Sequence, residues 1–173
     1  LIGVYLDCEG RDNNVDKSCR IMLKLKNKVQ DIIAKGQSVL LMGDMNKKID
    51  QENKSPSTNL LLEWLKEETM NLLNNPCLST RIDPVSGKGS TLDLAIVSTD
   101  ILQNVNSFTI DSNKEMTPFS IHKKKGHLYK KYTDHFSINL KLTLPATKLK
   151  KAKNVPYIDL KNKNGWVKYK EIS

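Results

Sequence analysis

The chain has little of what staples a fold or spans a bilayer. Cys8, Cys19 and Cys77 are odd in number and lack metal-ligand spacing, which argues against a disulfide framework and fits a reducing compartment. Cys77 reads as a small buried residue. No apolar run approaches the roughly 20 residues a membrane helix needs, and no internal repeat marks a solenoid. Leu1–Val4 is too short for a signal peptide, and no basic segment precedes it. An initiator methionine is also absent, and the first residues read as a strand from mid-domain. The expectation is therefore a fragment. What is present is 173 residues, 38% of them hydrophobic, with a mean hydropathy of −0.48. That suffices for one soluble domain with a core.

The net charge of +9 is unevenly spread. Residues 114–131 hold six lysines against Glu115, and residues 141–173 hold nine against Asp159 and Glu171. These two segments supply +5 and +7, so the remainder is slightly acidic at −3. A basic edge beside an acidic centre suits phosphate binding next to a metal site, although solvated lysines also serve to prevent aggregation.

The chain turns on Ser38–Asn46, Ser-Val-Leu-Leu-Met-Gly-Asp-Met-Asn. Val39–Met42 is an unbroken apolar run, read as a strand buried on both faces. Gly43 turns the backbone, and Asp44 and Asn46 emerge on one side, two residues apart. They could equally satisfy backbone groups in a turn. Two later segments repeat the grammar. Ser90–Ser98 puts Asp93 within an apolar strand, and Tyr132–Leu142 puts Asp134 and His135 ahead of alternating Phe136, Ile138, Leu140 and Leu142. A buried carboxylate is costly without a partner. Three strands that each carry an acid near one end point to one shared polar site.

Gly43-Asp44-Met45-Asn46, Ser90-Thr91-Leu92-Asp93 and Thr133-Asp134-His135 resemble, in order, the last three motifs of the endonuclease/exonuclease/phosphatase family. Tyr5–Arg11 resembles the tyrosine-to-arginine segment of its apurinic-site branch. Leu72-Leu73-Asn74, Thr80, Gly87-Lys88-Gly89-Ser90 and Leu92-Asp93-Leu94 bring the chain nearest to the endonuclease domains of non-LTR retrotransposons. The resemblance covers roughly Leu1–Leu144. It implies an α/β (α+β) fold, part of a four-layer α/β/β/α sandwich with the N-terminal half of the domain missing, followed by a basic linker and tail over 145–173. The family's early asparagine and metal-binding glutamate have no counterpart here, so weak metal binding and marginal folding are expected of the fragment alone.

The resemblance also implies roles. Asp44 orients or deprotonates the attacking water and contacts the metal, and Asn46 holds the phosphate or the metal's surroundings. His135 faces the scissile phosphate, Asp93 fixes its tautomer, Asp134 is a further metal contact, and Tyr5 donates to a phosphate oxygen. Mg²⁺ or Mn²⁺ is the implied cofactor, because carboxylate oxygens suit such ions. Arg11, Lys123, Lys124 and Lys125 are the expected DNA contacts. For each residue a bland role stays open: Tyr5 as rim, Asp134-His135 as a strand-start cap, Arg11 as an ordinary loop residue. Trp64 reads as core, and His122 and His127 as solvated.

Elsewhere the pattern predicts a strand over Leu1–Tyr5, a polar turn over Asp12–Lys17 and a helix over Ser18–Lys35 closed by Gly36, giving a β-α-β unit with the Val39 strand. A polar loop over Lys47–Ser55 precedes a helix capped by Ser57 or Thr58. Strands follow at Leu78–Ile82 and Thr91–Val97 around a hairpin-like connection, then at Val105–Ile110 and His135–Leu142. Ser112–Tyr132 reads as a long basic loop.

The functional expectation is a metal-dependent DNA endonuclease, nicking target DNA for a retrotransposon whose reverse transcriptase lies downstream, intracellular and nuclear, with no membrane partner. An apurinic-site repair nuclease is the rival within the enzyme class, and same-fold phosphatases acting on lipids or small phosphates come third. A non-catalytic nucleic-acid-binding remnant is the rival outside the enzyme class.

Overall fold

The computed structural model describes residues 1–6, 15–67, 69–117, 119–124 and 126–143. Cys8, Arg11, Lys125 and the linker and tail from residue 144 lie outside the described residues.

Strand β1 (Ile2–Tyr5), helix α1 (Val15–Ala34) and strand β2 (Leu40–Asp44) form the expected β-α-β unit, with β2 parallel to β1. In α1, Met22, Leu25, Val29, Ile32 and Ile33 recur every three or four residues and turn one stripe to the core. Gly36, at a φ of +70°, follows the helix end. The helix starts earlier than the polar character of residues 12–17 suggested. Val15–Lys17 form its first turn, where Asp16 meets the positive end of the helix dipole.

The next loop is anchored rather than merely polar. Ile49 and Lys47 are buried, and the Lys47 ammonium donates to Ser18 Oγ at 2.9 Å. Helix α2 (Pro56–Lys66) is capped by Ser55, not by Ser57 or Thr58. Ser55 Oγ accepts from the Thr58 backbone N–H at 3.2 Å, and Pro56 occupies a position where a missing N–H costs nothing.

After α2 come β3 (Met70–Leu72), β4 (Arg81–Ile82), β5 (Gly89–Ser90), β6 (Asp93–Ser98), a short α3 (Thr99–Leu102) and β7 (Val105–Ile110). Strands β8 (Phe119–Lys124), β9 (His127–Tyr132) and β10 (Ile138–Leu142) complete the described chain. The principal sheet is mixed, in the order β1-β2-β6-β3, with β6 antiparallel to both neighbours. Leu41, Leu94 and Ile96 share a core with Val29 of α1 and with Leu61 and Trp64 of α2. Full burial of each such side chain contributes about 1.5–3 kcal/mol. Trp64 is core, as expected. Ala95 and Val97, on alternate positions of β6, are also fully buried, so the strand is covered on both faces.

Among the described residues there are three further two-stranded sheets: β7 with β10, β4 with β5, and β8 with β9, all antiparallel. The first and last of the four expected late strands are shorter than expected. Only Arg81–Ile82 of Leu78–Ile82 and Ile138–Leu142 of His135–Leu142 are strand; His135 makes a single bridge, to Arg81. The basic segment Ser112–Tyr132 is no loop. Most of it is the β8–β9 hairpin, whose residues are exposed except for half-buried Tyr132. One face carries Phe119 against Tyr132, with Lys130 over the Phe119 ring at 4.5 Å. Lysines interrupting both strands hide the alternation in the sequence. Cys77 is exposed rather than buried, lying in a turn where its N–H donates to Asn75.

A candidate active site at the ends of two paired strands

Asp44 ends β2 and Asp93 begins β6, and the antiparallel register sets them directly opposite one another. Residues so paired project from the same face. Beyond them, His135 is brought in by its bridge to Arg81. One ligating atom from each of Asp44, Asp93 and His135 lies within 4.8 Å of the others. Residues scattered over some ninety positions of sequence thus meet at the end of one sheet.

Asp93 and His135 form the closest pair, with Asp93 Oδ2 2.8 Å from His135 Nδ1. The backbone around Asp93 is held from both sides. Thr80, fully buried, accepts through Oγ1 from the N–H groups of Leu92 and Asp93, each at 2.9 Å. Asn74 donates to the Asp93 carbonyl at 2.9 Å and accepts from the Ala95 N–H at 2.8 Å. Thr80 also joins the two halves of the site, because its carbonyl accepts from the Phe136 N–H at 2.7 Å.

Asp44 is fixed by the turn that follows it. Its Oδ1 accepts the Asn46 N–H at 3.0 Å, and Asn46 Nδ2 donates to the Leu6 carbonyl at 2.6 Å. Asn46 adopts a left-handed φ of 49°, which asparagine tolerates better than most residues. The backbone is sewn to both neighbours: Leu6 N–H donates to the Asp44 carbonyl and Met45 N–H to the Leu92 carbonyl. Tyr5 is in parallel register with Asp44 on the same sheet face, and is 76% exposed.

Burial pushes the Asp44 carboxyl above the ordinary aspartate value. The Asn46 N–H opposes this, Asp93 reinforces it by like charge, and the nearby His135 and Arg81 oppose it. The sign for stability follows. A carboxyl raised in the folded state binds its proton more readily there, so it destabilises the fold above the unfolded value and this cost disappears as the pH falls through the raised window. Asp44→Asn is therefore expected to raise the Tm at pH 7, and the gain should vanish in acid. The rise should be small, since the group is only part-buried and solvent-screened. Paired thermal melts at pH 7 and pH 4 check this.

Asp134 does not enter the group of three. Its Oδ2 accepts from Arg81 Nε at 2.7 Å, and although burial acts to raise its pKa, the Arg81 hydrogen bond prevails and holds it low. Lys123 and Lys124 lie on the exposed β8 strand. Arg11 and Lys125 fall outside the described residues. Three contributors were not singled out for the site by sequence: Asn74, Thr80 and Arg81. Asn74 and Thr80 appeared only as part of a familial resemblance, and nothing local to Arg81 signalled its place.

Two carboxylates facing each other at a part-buried strand end, beside a histidine, form a donor set that could hold a divalent cation. No helix among the described residues is long and apolar enough to cross a membrane. No curated protein matches this chain. Among solved structures, the endonuclease domain of TRAS1, a telomere-specific non-LTR retrotransposon, is similar with a TM-score of 0.52 at 15% identity, covering 71% of this chain and 52% of that one. The chain thus spans about half the length of that structure, and the likeness is one of fold, a mixed α/β endonuclease architecture with several sheets. The family profile described as endonuclease-reverse transcriptase matches residues 2–138. With most of its length covered by that profile, the chain belongs to the endonuclease-reverse transcriptase family.

Proposed function

We propose that this chain is part of a metal-dependent DNA endonuclease that nicks target DNA for reverse transcription of a non-LTR retrotransposon. The observation that carries the reading is the convergence of Asp44, Asp93 and His135 on one point at the end of the principal sheet. Hydrolysis of a phosphodiester needs an oriented water, in-line geometry and compensation of charge on the phosphoryl oxygens. With Nδ1 donating to Asp93, His135 presents Nε2 for a proton or a phosphate oxygen, and its ring cannot rotate freely. Asp44 keeps one oxygen on the Asn46 N–H and has the other for the attacking water.

The donor chemistry fits a hard divalent ion: Asp44, helped by the Asn46 carboxamide, would hold Mg²⁺ or Mn²⁺, and the mutual repulsion of Asp44 and Asp93 is what such an ion relieves. When bound, the ion supplies charge neutralisation at the phosphate. Tyr5, exposed and in register with Asp44, would donate to a phosphate oxygen. The β8–β9 hairpin adds an exposed basic ribbon with Lys123, Lys124, Lys130 and Lys131, suited to the DNA backbone. A chromosomal target would place the protein in the nucleus.

The test is nicking of supercoiled plasmid by the full-length protein that carries this chain. Relaxed circles are expected with Mg²⁺ and none with EDTA, and Asp44→Ala should lower the rate by roughly 10²–10⁴. Nicking that persists in EDTA, or that is indifferent to Asp44→Ala, overturns the reading. Binding of DNA without cleavage in Mg²⁺ would instead favour a non-catalytic nucleic-acid-binding role.

A further inference from the structure

The two carboxylates create a difficulty for their own substrate, since a phosphodiester must approach a site bearing negative charge. One cation is fixed beside them. Arg81 bridges His135 in antiparallel fashion, flanked by the Ile82 N–H to Asp134 carbonyl bond at 2.9 Å and the Phe136 N–H to Thr80 carbonyl bond at 2.7 Å. That pattern makes Arg81 and His135 a non-hydrogen-bonded pair, the arrangement in which facing side chains come closest and lie on one face. Asp134 aims the guanidinium, Nε donating to its Oδ2 at 2.7 Å, and a terminal nitrogen forms a longer ion pair with Asp83 Oδ2 at 4.0 Å. Val85 and Ser86 hold Asp83 through its Oδ1, and its Oδ2 stays beyond hydrogen-bond distance of the guanidinium. The Arg81 side chain stays 28% exposed.

We propose that Arg81 is a phosphate-binding residue of this site, its terminal N–H groups taking a non-bridging oxygen of the DNA strand next to His135, and that Asp134 is the positioning residue that orients it. Arginine suits the task because the planar fork can hold a carboxylate through one edge and a phosphate through another. A purely architectural Arg81–Asp134 pair, pinning residues 133–136 to β4, is the competing account. The proposal rests on the nuclease reading for the identity of the phosphate, and the experiment separates the two.

The full-length protein is titrated with a short duplex in EDTA over a range of salt, then assayed for nicking in Mg²⁺. Arg81→Gln should reduce the slope of log affinity against log salt by about one and weaken binding at low salt roughly tenfold. Arg81→Lys should restore the slope but not the nicking rate, which should stay about 10²-fold down because the fork is lost. Asp134→Asn should keep the slope and lose rate. Slopes unchanged in Arg81→Gln, or equal losses in Arg81→Gln and Asp134→Asn tracking a common fall in Tm, would overturn the proposal. A wild-type protein that binds with the full slope and never nicks would sink the nuclease reading while leaving the Arg81 contact measurable.

Discussion

Asp93→Asn is expected to slow DNA nicking by roughly two to four orders of magnitude while the protein stays folded. The carboxylate is the partner of His135 Nδ1 at 2.8 Å. An amide can offer the ring an N–H where an acceptor is needed, which turns the imidazole to the other tautomer or frees it to rotate. The substitution should not unseat the strand, because the Asp93 backbone is bonded by Thr80 and Asn74 rather than through its own side chain. Single-turnover nicking rates and thermal melts together make the check. A rate within threefold of wild type would mean the pair is structural, and a collapsed melt would mean that the carboxylate holds the sheet.

Gly43→Ala is expected to be the most disruptive one-methyl change in the principal sheet. At Gly43 φ is +147°, and a Cβ there would meet the Val4 carbonyl oxygen at 2.0 Å. The obstacle is backbone, so no rotamer change relieves it. Strain at such a φ and overpacking each cost about 1–3 kcal/mol, so a loss of roughly 2–6 kcal/mol is expected from urea unfolding. The chemistry should suffer as well, since Val4 and Gly43 are register partners one step before Tyr5 and Asp44. Pushing β1 away would also break the Asn46 Nδ2 bond to Leu6. A variant as stable as wild type, with intact nicking, would show that β1 does not hold the Asp44 turn.

The parts of the fold that could be read directly were those whose burial is one-sided or complete. The α1 stripe, the apolar run ahead of Gly43, core Trp64 and strand Val105–Ile110 all carry their pattern in residues a few positions apart. The β8–β9 hairpin escaped because solvent reaches both faces, so lysines sit among Phe119, Ile121 and Leu128 without penalty. The Ser55 cap was missed by two or three residues because Ser55, Ser57 and Thr58 are all competent caps, and Pro56 decides among them. At the site, Asp44, Asp93 and His135 stood out as polar residues at strand ends. Thr80 and Arg81 did not, since their meaning lies in partners 13 and 53 residues away, Asp93 and Asp134. Asp134 pairs with Arg81 and is not among the three residues that converge, a placement no local spacing could disclose.

Asp44 and Asp93 occupy opposing rungs of a single hydrogen-bonded ladder, so the gap between them is dictated by interstrand geometry and owes nothing to the connecting segments. The exposed β8–β9 ribbon is consequently free to lengthen, shorten or change composition without altering that gap. Under the proposed nuclease function, selectivity for one stretch of duplex over another would then be rewritten at that ribbon while the spacing of the two carboxylates stays the same.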